Sequence, residues 1–466
     1  MIVYDRLYIG GAWTAPAHPG LLDIRSPHDG SLLGRAAQAA PGDADAAVAA
    51  ARAAFNHGPW PHMHPKERRD VIRRVNRLRE ERAAEVAARI SEGTGAPLRF
   101  TEPAQTSLNR RVEASLKAAE EFGWEEVLPA DPCSGFDTIV RREPIGVVAA
   151  IVPWNSPFTS ATAKLTPALL AGDTVVLKVT PENSLSMGLL AELYAEAGLP
   201  EGVLSVLPAD RETGEYLAAH PDVDKIAFSG SSGDGRRMAA IAAGQLKRIG
   251  LAVGGRSAAV ILDDADLGRT MRDLKYAGPG GDGGPCAGRA RILAPRRRYE
   301  EVVAAVGDMV GSLTVGDPAD PETFVGPMAG RERQQRVLSY IDLGIEEGAR
   351  LVRGGPRVPT GLEAGCYVNP TVFADVDNRM RIAQEEIPGP VFTIIAHDGE
   401  DDAVRIAEDS EYGVSGGVWS ADTERAMAVA RRLRTRTVTV NGSPTGFDGT
   451  FGLSGYVEHK TLTRAR

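Results

Sequence analysis

One cysteine stands apart in this chain. Cys286 follows a glycine-rich run, Tyr276-Ala-Gly-Pro-Gly-Gly-Asp-Gly-Gly-Pro-Cys286, and precedes Ala-Gly-Arg-Ala-Arg291. A thiol becomes a strong nucleophile when the environment favours the thiolate. It is otherwise a small buried hydrophobe, and the residues alone leave both readings open. A second group is Asn155, in Pro153-Trp154-Asn155-Ser156-Pro157. Its amide N–H₂ can donate to a developing oxyanion without ionising, or simply close the turn. Lys178 ends an apolar run and could reach a ligand or lie in solvent. Gly230-Ser231-Ser-Gly-Asp234-Gly can open a helix whose amides face phosphate, although Asp234 is an unfavourable charge there unless it points away. Glu386, in Glu385-Glu386-Ile-Pro-Gly-Pro390, reads from its neighbours alone as a solvated loop acid.

Several of these groups fall just past short apolar segments. Residues 147–152, 174–177, 203–206 and 225–228 read as buried parallel strands, with helices between them over 161–171 and 186–197. That alternation predicts a doubly wound α/β sheet, which binds ligands at the carboxyl ends of its strands. Trp154, Asn155, Lys178 and Ser231 all fall there. A second α/β unit is predicted from strands over 258–262, 291–293, 391–395, 416–419 and 437–440, with helices over 299–310 and 331–347. Residues 43–55 read as an amphipathic helix, 66–91 as one or two more and 113–122 as another, all serving packing. Residues 126–144 read as a turn-rich segment between extended stretches.

Composition narrows the class. At 466 residues the chain exceeds one ordinary core. Apolar content of 43% and charged content of 25% are those of a globular protein. A net charge of −9 offers no basic face for nucleic acid. No apolar run is long enough to cross a membrane, the first residues are not a signal peptide, and a cytoplasmic location is expected. The three cysteines, Cys133, Cys286 and Cys366, have neither metal-ligand spacing nor the makings of a disulfide framework.

Taken in order, the motifs resemble the aldehyde dehydrogenase superfamily over nearly the whole chain. They are Tyr8-Ile-Gly-Gly-Ala-Trp13, which looks like the family's opening strand, and Ile151-Val-Pro-Trp-Asn-Ser-Pro-Phe158, the most specific match. Lys178-Val-Thr-Pro-Glu182, Phe228-Ser-Gly-Ser-Ser-Gly233, Gly326-Pro327, the Glu385–Pro390 stretch and Tyr456-Val-Glu-His-Lys-Thr461 follow. The resemblance implies a dinucleotide-binding domain over 1–125 and 145–252 and a catalytic domain over 253–440. It also implies an oligomerisation element over 126–144 and 453–466, hence a homodimer or homotetramer. It makes Cys286 the nucleophile, with Arg291 in the same frame. Asn155 and the Cys286 backbone N–H become the oxyanion donors. Trp154, Lys178, Gly230, Ser231 and Glu386 become contacts of NAD or NADP, and no metal is implied.

Departures cluster at the expected site. Ala252 replaces the general-base glutamate. Asp282 and Gly284 replace an amide pair in the loop before Cys286, where glycine raises the entropic cost of order. Pro388 stands in place of a phenylalanine near the nicotinamide. The connection from Phe447 to Tyr456 is shorter than usual, and Pro181 sits where many members carry a ribose-binding acid. The expected activity is oxidation of an aldehyde through a Cys286 thioester, with hydrolysis impaired by Ala252. Branches of the family that pass the acyl group to coenzyme A also lack that glutamate. The alternative is a non-redox homologue acting as a structural or regulatory subunit, or with other chemistry in the pocket.

Overall fold

A computed structural model describes residues 1–129, 136–278, 288–442 and 452–465. Its centre is a seven-stranded sheet. From one edge the strands run Arg248–Val253, Lys225–Gly230, Val147–Ile151, Thr174–Val179, Leu204–Pro208, Leu7–Ile9 and Ala12–Thr14. The first five are parallel, and the last two form an antiparallel hairpin on the far side. The single opening strand expected at 8–13 is therefore a hairpin. Gly10 and Gly11 take φ of 58° and 90°, a left-handed geometry that breaks the strand in two. The strand at Arg248–Val253 has no counterpart among the sequence expectations. Its residues are only half-buried at an edge, so it lacks the apolar signature of its neighbours.

The central strands follow from their composition. Val147–Ile151 is Val-Val-Ala-Ala-Ile and is buried throughout. Thr174–Val179 and Leu204–Pro208 are likewise buried, as expected for a sheet covered on both faces. Helices Pro41–His57 and Pro157–Ala171 supply two of the covering layers. The 66–91 stretch, expected as one or two helices, forms two, Pro65–Glu81 and Ala83–Thr94, and 113–122 belongs to the longer helix Leu98–Glu120.

Strand order decides where a ligand can sit. The chain passes from Val147–Ile151 outward to Thr174–Val179 and Leu204–Pro208. It then returns past the start to Lys225–Gly230. The reversal leaves a crevice at the carboxyl ends of Val147–Ile151 and Lys225–Gly230, where the two connections diverge.

The second unit is another seven-stranded sheet, ordered Arg350–Arg353, Thr371–Ala374, Val391–His397, Arg291–Pro295, Ala258–Ile261, Ser415–Trp419 and Thr437–Val440. All neighbours are parallel except the first pair. Residues 254–257 alone join Val253 of the first sheet to Ala258 of the second. The carboxyl edge of one sheet thus meets the amino edge of the other. Gly254 makes that turn at φ 60°, and a Cβ there would collide with the Ser232 and Tyr412 side chains.

A third layer stands apart. Phe136–Pro144 pairs antiparallel with Val457–Ala465 from Val457↔Pro144 to Ala465↔Phe136, and Glu125–Val127 adds a third strand. Val127, Leu128, Phe136 and Leu462 are exposed on this small sheet and its flanks.

Candidate functional site

Strand Val147–Ile151 delivers Trp154 and Asn155 to the crevice. Pro157 then starts helix Pro157–Ala171 at a position where its missing N–H costs nothing. Asn155 is buried, and its amide makes no hydrogen bond to another described residue. Its side chain does not cap the turn. Trp154 is half-buried, and its carbonyl accepts from Asn183 Nδ2 at 3.0 Å. Both residues line a cleft together with Gly95, Pro97, Pro327, Met328, Pro388 and Pro390. Pro388 therefore does stand in the cleft wall.

Lys178 lies within strand Thr174–Val179, Cα-paired with Ile151, and is 7% exposed. It is not a solvated surface lysine. Burial pushes its amine down to about 8, against the pull of the Glu182, Asp210 and Asp234 carboxylates. Gly230 ends strand Lys225–Gly230, and Ser231 caps helix Ser232–Gly244. The Ser231 hydroxyl accepts from Asp234 N at 3.1 Å and donates to Asp234 Oδ2 at 2.7 Å. Arg211 lies 3.3 Å from Asp234, and Arg237 binds it as well. The carboxylate that looked unfavourable beside a phosphate is thus held by two guanidinium groups. The Ser231 side chain is thus committed to its own helix.

Glu386 is half-buried on the turn leading to Pro388. Its charge faces the buried Arg256, whose side chain donates to the carbonyls of Ile382 and Val391. Arg291 is also buried and structural, donating to the Arg256 carbonyl at 3.0 Å and to Asn378 Oδ1 at 2.8 Å. Cys286 and Cys133 lie outside the described residues. The chain re-enters at Gly288, and Arg289 N donates to the Ala277 carbonyl at 2.9 Å, which anchors the two ends of the glycine-rich segment together. Cys366 sits in a turn, buried at 7% exposure. Burial pushes its thiol up, away from the thiolate.

Ala252 occupies the edge strand and is the Cα partner of Ser229. No carboxylate can come from this position. Next to it is a group that periodicity did not single out. Lys164, on helix Pro157–Ala171, is 1% exposed and donates from Nζ to Ser229 Oγ at 2.6 Å. Burial pushes its amine down to about 7. The signal available in the sequence was a lysine inside an otherwise apolar helix, Ser-Ala-Thr-Ala-Lys164-Leu-Thr-Pro. Arg333 was also missed. It crosses from helix Arg331–Glu346 to lie 4.7 Å from the Trp154 ring centroid, paired with Glu182.

The match to known proteins is extensive. The family model described as aldehyde dehydrogenase family covers residues 13–458. Geranial dehydrogenase of Castellaniella defragrans is 43% identical over 454 residues, which is 97% of this chain and 94% of that protein. An aldehyde dehydrogenase of Mycobacterium tuberculosis complexed with NAD+ has a TM-score of 0.94 at 43% identity, covering 99% of this chain and 98% of that one. A mutant of aldehyde dehydrogenase C from Pseudomonas syringae, complexed with NAD+ and octanal, has a TM-score of 0.91 at 37% identity, covering 98% and 96%. Sequence, fold and crevice agree: the chain belongs to the aldehyde dehydrogenase family, enzymes that use NAD or NADP.

Proposed function

We propose that this protein oxidises an apolar aldehyde through a thioester on Cys286, and that the thioester is hydrolysed slowly. The observation that carries the reading is the cleft lined by Trp154 and Asn155, just past strand Val147–Ile151, with Lys178 and Gly230 near the carboxyl ends of the two strands that flank it. Lys178 and the amides at the start of helix Ser232–Gly244 suit an anionic dinucleotide, with Glu386 on the ribose side. When bound, NAD or NADP supplies the hydride acceptor. The Cys286 thiolate adds to the aldehyde carbon, and the Asn155 amide donates to the oxyanion. Loss of hydride from that carbon leaves the thioester.

Hydrolysis then needs a base for water. Ala252 provides none, and general-base catalysis is typically worth about 10² to 10⁴-fold. A thiol acceptor such as coenzyme A would relieve the stall. The apolar class rests on the proline- and methionine-lined cleft and on the geranial and octanal named for two relatives. The NAD complexes of the structural relatives favour an oxidoreductase over a non-redox subunit. The small three-stranded sheet, with its exposed Phe136 and Leu462, is the expected contact between copies in a homodimer or homotetramer. Among the described residues no helix is long and apolar enough to cross a membrane, and we place the activity in the cytoplasm.

The test is rapid mixing of the enzyme with NAD or NADP and octanal or geranial. The reading expects a burst of about one reduced nucleotide per site, a slow phase quickened by coenzyme A, and an acyl adduct on Cys286 by intact mass. Fast turnover without a burst would show that another group activates water. No hydride transfer despite nucleotide binding would sink the oxidoreductase reading.

A further inference from the structure

Arg333 is placed where its charge is locally unfavourable. It lies in the first turn of helix Arg331–Glu346, whose N-terminus carries partial positive charge. What holds it there comes from the other unit. Its Nη2 is 2.5 Å from Glu182 Oε1, and its guanidinium carbon is 4.7 Å from the Trp154 ring centroid. Its Nη1 donates to the Ala329 carbonyl at 3.2 Å, which steadies the side chain on its own helix. The Arg333 and Glu182 side chains are only 25% and 24% exposed, so solvent screens the pair less than an ordinary surface bridge.

The two partners are not scattered. Trp154 stands three residues past the end of Val147–Ile151, and Glu182 three past the end of Thr174–Val179. These are adjacent strands at the crevice. Glu182 also acts on Lys178 through its charge. Trp154 itself lines the cleft, and Asn183, next to Glu182, fixes the Trp154 carbonyl. One side chain from the second unit therefore grips two points on the coenzyme-facing rim of the first. It also neutralises a carboxylate that would otherwise face an anionic dinucleotide.

We propose that Arg333 is a positioning residue that ties the two α/β units together across the dinucleotide crevice and slows departure of the reduced coenzyme. The proposal rests on the dinucleotide reading given above. Removing Arg333 would free the rim and leave the Glu182 carboxylate unpaired. Both effects act in the same direction, towards faster release.

The experiment follows NADH fluorescence by stopped flow as bound NADH is displaced by excess NAD, in the full-length protein. Arg333→Met, Glu182→Gln and the double variant are compared with the parent. We expect release about tenfold faster for Arg333→Met, several-fold faster for Glu182→Gln, and no further gain in the double variant, the mark of one shared interaction. An unchanged rate in Arg333→Met overturns the proposal. So does slower release in Glu182→Gln, which would reduce the effect to charge alone, or multiplicative behaviour in the double variant. Unfolding midpoints are measured without nucleotide, and a loss there matching the change in release would assign the pair to folding instead. Absence of NADH binding in the parent defeats the dinucleotide reading itself, whereas normal binding with unaltered release defeats only the tie.

Discussion

Replacing Lys164 with methionine should make the protein more stable near neutral pH and remove that advantage in alkali. The amine is 1% exposed, and burial lowers its pKa from 10.5 to about 7. Between those values the unfolded chain binds more protons at this site than the folded one. Stability therefore rises with pH across the window: the penalty is fully felt below about 7 and relieved above 10.5. Relative to a side chain that never charges, it amounts to about 4 kcal/mol near pH 7 and about 1 kcal/mol near pH 9.5. Methionine is unbranched and flexible, so it fills most of the same space. It also deprives Ser229 Oγ of the donor now 2.6 Å away, at a cost of about 1–3 kcal/mol. The difference is a gain of about 1–3 kcal/mol near neutrality, and a change between zero and a loss of about 2 kcal/mol near pH 9.5. Urea midpoints of parent and variant, at matched protein concentration and at both pH values, measure it. An equal displacement at the two pH values would refute the reasoning, because it would mean that the amine titrates as it does in water. A clear loss near neutrality would mean that the Ser229 bond outweighs the buried amine.

Other substitutions probe the chemistry. Ala252→Glu should raise steady turnover by about 10² to 10⁴-fold while leaving the burst amplitude near one per site, read as the ratio of slow to fast phases. Asn155→Ala should slow the burst by about 10² to 10³-fold with nucleotide affinity unchanged by calorimetry, because the amide is buried and makes no hydrogen bond to another described residue. Lys178→Met should weaken dinucleotide binding by about tenfold or more, measured in the same titration, since a charge-assisted contact is removed. Phe136→Asp with Leu462→Asp should shift the protein towards the monomer in size-exclusion chromatography with light scattering, if the small sheet joins two copies.

The parts legible in the sequence were those that local chemistry dictates. The runs at Val147–Ile151, Thr174–Val179 and Leu204–Pro208 announce buried strands because only a sheet covered on both faces tolerates continuous apolar residues. Strands Arg248–Val253, Arg350–Arg353 and Thr371–Ala374 were not called. The first two lie at sheet edges and are incompletely buried, so they lack that apolar signature. Trp154, Asn155 and Gly230 could be singled out because turn chemistry and strand ends mark them. Lys164 carried only the faint signal of a lysine within an apolar helix, and Arg333 carried none, since an arginine in a polar helix is ordinary until its surroundings are known.

By itself, then, the order of residues determined the α/β class, the two units, the location of Trp154, Asn155 and Ser231 just past strand ends, and the absence of a carboxylate at Ala252, whereas Lys178, expected past a strand, lies within Thr174–Val179. Only the tertiary structure decided that Lys178 is buried, that Ser231 is spent on Asp234, that Lys164 lies behind Ser229, and that Arg333 reaches across to Glu182 and Trp154. The physical reason is the range of the interactions. Periodicity and turn preference act over a few neighbouring residues, whereas desolvation of an amine and pairing across a crevice depend on groups 65 and 151 positions apart along the chain.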